Sequence, residues 1–225
     1  MSFDPVAEGA SASELEEPAR DGSGRWLELL SSGLTFDLVG LAPTAPAPDP
    51  PRGYSFGLPE WLESTRLEAI TLKPGPHLAG GATMLPVVRA LAGLTARLTG
   101  LSNTAAVVWH PARCWSLPHQ FRDSVDRWLA GGVFPAFSLA ALGPMPDGGM
   151  QSEGLSLFTG QELRLEPELL EDRAAGGRIG LRLLHWLAER GAIDGPEDFK
   201  IPDIAALRIE PSANGRFVRA WKAAE

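Results

Sequence analysis

The sequence predicts an α+β fold: a mixed β-sheet with a β-α-β-α-β core, two C-terminal hairpins and three longer helices packed on the sheet. Three observations carry that prediction. Short β-type runs alternate with longer helical ones through the middle of the 225-residue chain, two alternating stretches centred on glycine-containing turns follow, and 44% hydrophobic residues suffice for a core. The expected organisation is an acidic, disordered tail over 1–24, then a single α+β domain over 25–225 interrupted by a proline-rich connector at 42–53.

Residues 1–24 hold six acids, one arginine and few large apolar side chains, so burial cannot offset the entropy of ordering them. A short helix is expected over 25–31, and LTFDLVGL (34–41) reads as a strand by its β-branched and aromatic content. The run APTAPAPDPP has five prolines in ten residues, which excludes helix and ladder and favours an extended connector. LEAITLK (67–73) alternates with the period of a half-buried strand and ends at Pro74. Thr83 is the expected cap of a helix running to about Leu98, with Pro86 tolerated in its first turn. TAAVVW (104–109) reads as a central strand, Ser116 as the start of a helix to Ala130, and VFPAFSLAAL (133–142) as a third strand. That order implies crossover connections and partly parallel pairing. Farther on, GLSLFT and ELRLE flank Gly160-Gln161 as a hairpin, a helix over 175–190 stops at Gly191, and 206–210 with 216–221 form a second hairpin.

Charge and composition exclude several function classes. The chain has 28 acidic against 20 basic residues, a net charge of -8, which argues against a nucleic-acid partner because such sites need clustered Lys and Arg. Its first residues have no basic start followed by an apolar stretch, and no run is long enough for a membrane span, so the expectation is a cytoplasmic protein without membrane insertion. The single cysteine excludes an internal disulfide and an all-cysteine metal site. Abundant Ala, Gly, Pro and Arg with few Lys point to a GC-rich bacterial genome.

A proline-ended strand, a GGAT helix start, a strand running into VVWHPARCWSLPHQF, the apolar FPAFSLAAL, then EGLSLFTGQELRLEP and the helix GLRLLHWLAERGAI together form a recognisable order. Over about 65–220 it resembles an uncharacterised bacterial family catalogued as a domain of unknown function (DUF 4261-like). The resemblance is most specific at Gly154-Leu155 and over 160–166. It implies a fold and supplies no reaction and no catalytic residues.

Chemistry is concentrated in WHPARCWSLPHQF, which holds the only cysteine, Cys114, with His110 and His119 on either side. A nucleophilic cysteine needs a lowered pKa from a histidine or a helix start, and Cys114 precedes the expected helix at Ser116. No glycine-rich oxyanion turn and no cysteine-enzyme signature accompany it, so the bland reading is a structural corner whose Cys114 and Trp115 cover a strand end while Arg113 and His119 reach solvent. As zinc ligands the three residues would sit on an irregular loop, and the sequence nominates no fourth ligand. No metal, cofactor or catalytic residue is therefore assigned. Elsewhere, His185 falls on the polar face of its helix with Arg178, Arg182 and Glu189 and is expected in solvent, and His77 lies in a turn. Glu162 and Glu166 share a strand face, with Glu168 just beyond, which fits paired carboxylates and equally an ordinary wet face. Gly80-Gly81 before the Thr83 helix fits a weak phosphate cradle lacking the lysine of a P-loop.

Three functions remain. The leading expectation is a non-catalytic protein-binding module, an adaptor or immunity-type inhibitor, that meets another protein through its acidic tail and proline-rich arm. The alternatives are a structural component of a larger bacterial assembly, and a hydrolase or transferase using Cys114 with His110 or His119.

Overall fold

A computed structural model describes residues 2–4, 26–41, 47–59, 62, 67–101, 103–201 and 205–223. The fold is α+β, built from three sheets and the helices packed on them. The first sheet contains strands β1 (Ser2–Asp4), β2 (Trp26–Ser31), β3 (Leu34–Val39) and β5 (Thr71–Pro74), all antiparallel. β2 replaces the helix expected over 25–31. Ser32 (φ 55°) and Gly33 (φ 76°) both turn left-handed, the geometry of a two-residue hairpin whose twist matches its strands, and this locks Ser31 opposite Leu34. Once paired, WLELLS buries Leu29 and Ser31 and exposes Leu30 between them, a period of two. β1 adds an outer strand, so residues 2–4 depart from the unstructured tail expected over 1–24; the rest of that tail lies outside the described residues.

The connector expected at 42–53 is pinned rather than loose at Ala47, which is buried and donates its N–H to the Ala69 carbonyl at 3.0 Å; residues 42–46 lie outside the described set. β4 (Tyr54–Phe56) then runs parallel to β7 (Cys114–Ser116), and β6 (Val107–Trp109) pairs antiparallel with β7 to complete a three-stranded sheet. Val107–Trp109 is thus an edge strand, not the central one expected over 104–109. α1 (Leu85–Leu98) is two-sided. Val87 and Leu94 join Leu29, Phe36 and Leu38 in a small core under the first sheet, while Val88, Ala92 and Ala96 face the main core. Its N-cap is Met84, without a side-chain bond, so Thr83 does not cap it. α2 (Pro118–Leu129) packs beside α1, and Leu129 comes so near Gly93 that an added Cβ there would stand 2.8 Å from its Cδ1. Ser116 ends β7 instead of opening this helix, whose N-cap is Leu117.

The expected strand over 133–142 is mostly a buried turn. Pro135 has no N–H to give a ladder, its carbonyl accepts from Ser138 and Leu139, and Phe137 takes φ 69°. Only at Ala141 does β8 (Ala141–Pro144) begin. It leads the six-stranded sheet β11-β12-β13-β10-β9-β8, formed with β9 (Met150–Glu153), β10 (Glu162–Leu165), β11 (Glu197–Ile201), β12 (Ala205–Pro211) and β13 (Phe217–Lys222). Among the described residues, only β4 with β7 and β10 with β13 run parallel, so the expected β-α-β-α-β crossovers are replaced mainly by antiparallel returns. α4 (Arg173–Arg190) covers this sheet, capped by Asp172, whose carboxylate accepts from Ala174 and Ala175 N–H, and ended by Gly191 at φ 83°. Its buried Ile179, Leu183, Leu184 and Leu187 pack in one core with Leu163, Leu165, Leu207, Ile209 and Val218. The second C-terminal hairpin, β12 to β13 around Ser212 to Gly215, forms as expected.

Candidate functional site

The WHPARCW stretch is a hairpin. His110, Pro111 and Ala112 make one 3₁₀ turn, Arg113 enters the left-handed region at φ 49° with its N–H on the His110 carbonyl, and Trp109 comes to lie opposite Cys114. β7 is the middle strand of its sheet, so Cys114 is flanked by Trp109 on one side and Tyr54 on the other and is fully buried. Burial, helped by the negative charge of Glu153, pushes its thiol up to about 12. At neutral pH roughly one molecule in 10⁵ would carry the thiolate. His110 and His119 are both exposed, and among the described residues neither imidazole hydrogen-bonds to Cys114. The three residues adjacent in sequence are not a constellation in space. Among the described residues no group of three or more His, Cys, Asp or Glu side chains is arranged to hold a metal ion.

What the hairpin does instead is clasp β9. Arg113 forms a two-point bond to Glu153, Nε to Oε1 at 2.5 Å and Nη2 to Oε2 at 2.6 Å, and its guanidinium lies 5.9 Å from the Tyr54 ring centre. Burial and then the Glu153 charge raise the Tyr54 pKa, so this phenol stays a donor. Two glycines admit the contact. An added Cβ at Gly143 would lie 2.4 Å from the Tyr54 hydroxyl, and one at Gly154 would lie 2.6 Å from the Ala112 Cβ.

Glu162 is the polar centre of the next layer. Its carboxylate accepts from Ser152 Oγ (2.5 Å) and from the N–H groups of Gly154 (2.9 Å), Leu155 (3.2 Å) and Ser156 (3.1 Å). These bonds wind residues 154–156 around the side chain and start the one-turn helix α3 (Ser156–Thr159), which Gly160 closes at φ 81°. The hairpin expected across Gly160-Gln161 is therefore absent: the glycine has the positive φ anticipated, used to cap a helix, and β10 pairs with β9 and β13. Gln161, read in the sequence as a turn residue, is a buried three-way tie. Its amide nitrogen donates to the Ile193 and Gly215 carbonyls at 3.0 and 3.2 Å, and its amide oxygen accepts from the Ile193 N–H at 2.8 Å. Nothing in the sequence around it signals that role, because its partners lie 32 and 54 residues away.

Glu162 and Glu166 do lie on one face of their strand, alternating with buried Leu163 and Leu165, but each is committed to different donors. Arg219 and Arg164 hold Glu166, the Arg219 bond foremost in keeping its carboxyl below the ordinary range, and Glu168 accepts the Lys222 N–H at 2.7 Å. They form no acid–base pair. His185 is half-buried rather than solvated; burial lowers its pKa, opposed by Glu189 and by a bond to the Phe134 backbone. His77 is exposed in a six-residue 3₁₀ helix, Pro76–Gly81, that also contains Gly80 and Gly81. That glycine pair stops short of α1 at Leu85, so it does not build the phosphate cradle expected there.

A concavity of about 570 Å³ lies where α1 begins, beside the hairpin turn and α3; another of the same volume is lined by Glu166, Pro167, Glu168, Arg219 and Trp221. Thr83, Leu85, Pro111, Ser156, Leu157 and Phe158 contribute to the walls of the first. Phe158 is fixed from behind by edge-to-face contacts with Trp128 and Phe134 at 5.8 and 4.8 Å. Leu85 and its neighbour Met84 are 44% and 61% exposed, unusual for such side chains in one short stretch. The WHPARCW hairpin thus meets this hollow through Pro111, not through Cys114 or either histidine. No family model matches the chain, and no match was found among curated proteins or solved structures. Among the described residues no helix is long and apolar enough to cross a membrane.

Proposed function

We propose that this chain is a non-catalytic, cytoplasmic bacterial protein-binding module, an adaptor or immunity-type inhibitor, that seats an apolar anchor of a basic partner protein in the hollow between α1 and α3. The observation that carries this reading is the division of labour around that hollow. Cys114 is buried with its thiol held protonated, and Arg113, Glu153, Glu162 and Gln161 direct hydrogen bonds to one another and to the backbone. What lines the hollow is mixed: Leu85, Leu157 and Phe158 supply apolar surface, Thr83 and Ser156 are polar, and Met84 is exposed next to Leu85. A recess with apolar side chains on its walls is suited to an inserted anchor side chain, and a net charge of -8 favours a partner of opposite sign by steering the encounter.

The test is site-specific photocrosslinking from position 84 in the native cell, followed by affinity measurement on the captured protein. Leu85→Asp should weaken that protein's binding at least tenfold, Cys114→Ser should leave it unchanged, and affinity should fall as salt rises from about 0.05 to 0.5 M. Capture that is indifferent to Leu85→Asp, or that Cys114→Ser abolishes in a folded protein, overturns the reading.

A further inference from the structure

We infer that a second copy of this chain pairs along β11, across a two-fold axis at Phe199, to continue the six-stranded sheet from one molecule into the next. β11 (Glu197–Ile201) is an outer strand of that sheet, bonded to β12 on one side. Among the described residues no backbone hydrogen bond reaches it from its other side. An open edge of this kind presents unused N–H and C=O groups, which a sheet normally blunts with charged side chains, proline or a bulge; β11 carries charges of both signs on one face, which two antiparallel copies can match instead of opposing. By contrast, one outer strand of the first sheet, β5, ends in Pro74, which has no N–H to offer.

The sequence of β11, Glu-Asp-Phe-Lys-Ile, selects both the partner and the register. Two copies related by an axis perpendicular to the sheet must place side chains of the same face opposite one another, so the axis has to pass through a residue and not between two. An axis at Asp198 would set aspartate against aspartate, and one at Lys200 lysine against lysine. An axis at Phe199 sets Asp198 opposite the Lys200 of the second copy, twice by symmetry, with phenylalanine opposite phenylalanine at the centre. This register works whichever alternate set of backbone groups points outward, because antiparallel ladders have two-fold axes at both kinds of residue pair.

The side chains are available for it. The Asp198 side chain is 69% exposed and shares only Arg208, which also holds Glu210. Lys200 is exposed and has no ion pair among the described residues. On the opposite face Phe199 packs against Trp186 at 4.8 Å, so the central phenylalanine pair would join two such stacks into one aromatic strip. This surface is separate from the hollow between α1 and α3, and the pairing stands or falls independently of what that hollow binds.

The experiment is sedimentation velocity of the full chain over roughly 10–500 μM, the range suited to a small, weak interface. The expected result is a mass rising with concentration from 24.0 kDa toward twice that value. Lys200→Asp and Asp198→Lys should each weaken association at least tenfold by placing like charges opposite one another, and the double variant Asp198→Lys/Lys200→Asp should recover it. Thermal melts within a few degrees of wild type establish that each variant folds. A mass that stays monomeric across the range, single variants without effect, or a double variant that fails to recover overturns the pairing.

Discussion

The first sheet with its small core and the six-stranded sheet with its large one solve the same problem with different thoroughness. Beneath the six-stranded sheet, most buried polar groups are tied: Gln161 makes bonds to Ile193 and Gly215, Ser152 both donates to Glu162 and accepts from Leu163, and Thr159 donates to the Gln161 carbonyl, while Trp109 Nε1 in the same large core has no partner among the described residues. In the first sheet, Thr35 Oγ1 and Asp37 Oδ1 are buried without a hydrogen-bond partner among the described residues, and the core beneath is five side chains, Leu29, Phe36, Leu38, Val87 and Leu94. An unpaired buried polar atom costs about 1–3 kcal/mol, a large fraction of a protein's net stability. The difference teaches that the C-terminal layer is the scaffold and the first sheet the part that opens first, with α1 shared between them.

The sharpest way to break this comparison is Phe36→Ala, which removes the largest member of the five-residue core at a cost of about 3–5 kcal/mol. Hydrogen exchange should then show β2 and β3 amides losing protection while Leu163 and Leu207 keep theirs; loss at all sites together would mean the two layers open as one unit. Next in size, Glu162→Ala leaves Ser152 and three N–H donors without their acceptor, and a loss of about 2–3 kcal/mol in chemical denaturation is expected. Glu162→Gln should cost less, because one amide oxygen still accepts.

A smaller effect comes from Cys114. Its folded pKa lies above the unfolded value, so above pH 9 the unfolded chain releases a proton that the folded chain keeps. Stability should fall as pH rises from about 9 toward 12, by about 1 kcal/mol at pH 10, and Cys114→Ala should flatten that alkaline slope in a series of urea titrations. The smallest effect expected is Thr35→Val: replacing the unpartnered hydroxyl with a methyl should change stability by less than about 0.5 kcal/mol or raise it, whereas Thr159→Val, which breaks a bonded hydroxyl, should lower it by about 1 kcal/mol. Equal losses at both would show that Thr35 is tied after all.

Legibility in the sequence follows the range of the interactions. α4 and the β12–β13 hairpin were readable because Asp172, Gly191 and the Ser212 to Gly215 turn act locally, and the apolar stripe of Ile179, Leu183 and Leu187 has the helical period. The first hairpin was missed because WLELLS is also a good helical sequence; the deciding signal, Ser32-Gly33, is a turn pair whose force depends on the strand that follows. The apolar run over 133–142 reads as a strand by composition, and Pro135 with Phe137 turns it into a compact corner. The corner reading of WHPARCW agrees with the burial of Cys114 and the exposure of Arg113, yet the Arg113 to Glu153 bond spans 40 residues and no local pattern announces it. Pro111, Leu85 and Phe158 come together only through tertiary packing, so the hollow was invisible as a motif.

One consequence of the buried Cys114 concerns time. Because this is the chain's only thiol and it is sealed between Trp109 and Tyr54, a thiol reagent can reach it only during moments when β6 and β4 part from β7. At high reagent concentration the modification rate becomes the opening rate itself, and at low concentration it reports how often the open form is populated. The molecule thus carries its own stopwatch at the centre of its three-stranded sheet, and an occupant of the hollow that grips Pro111 would slow it.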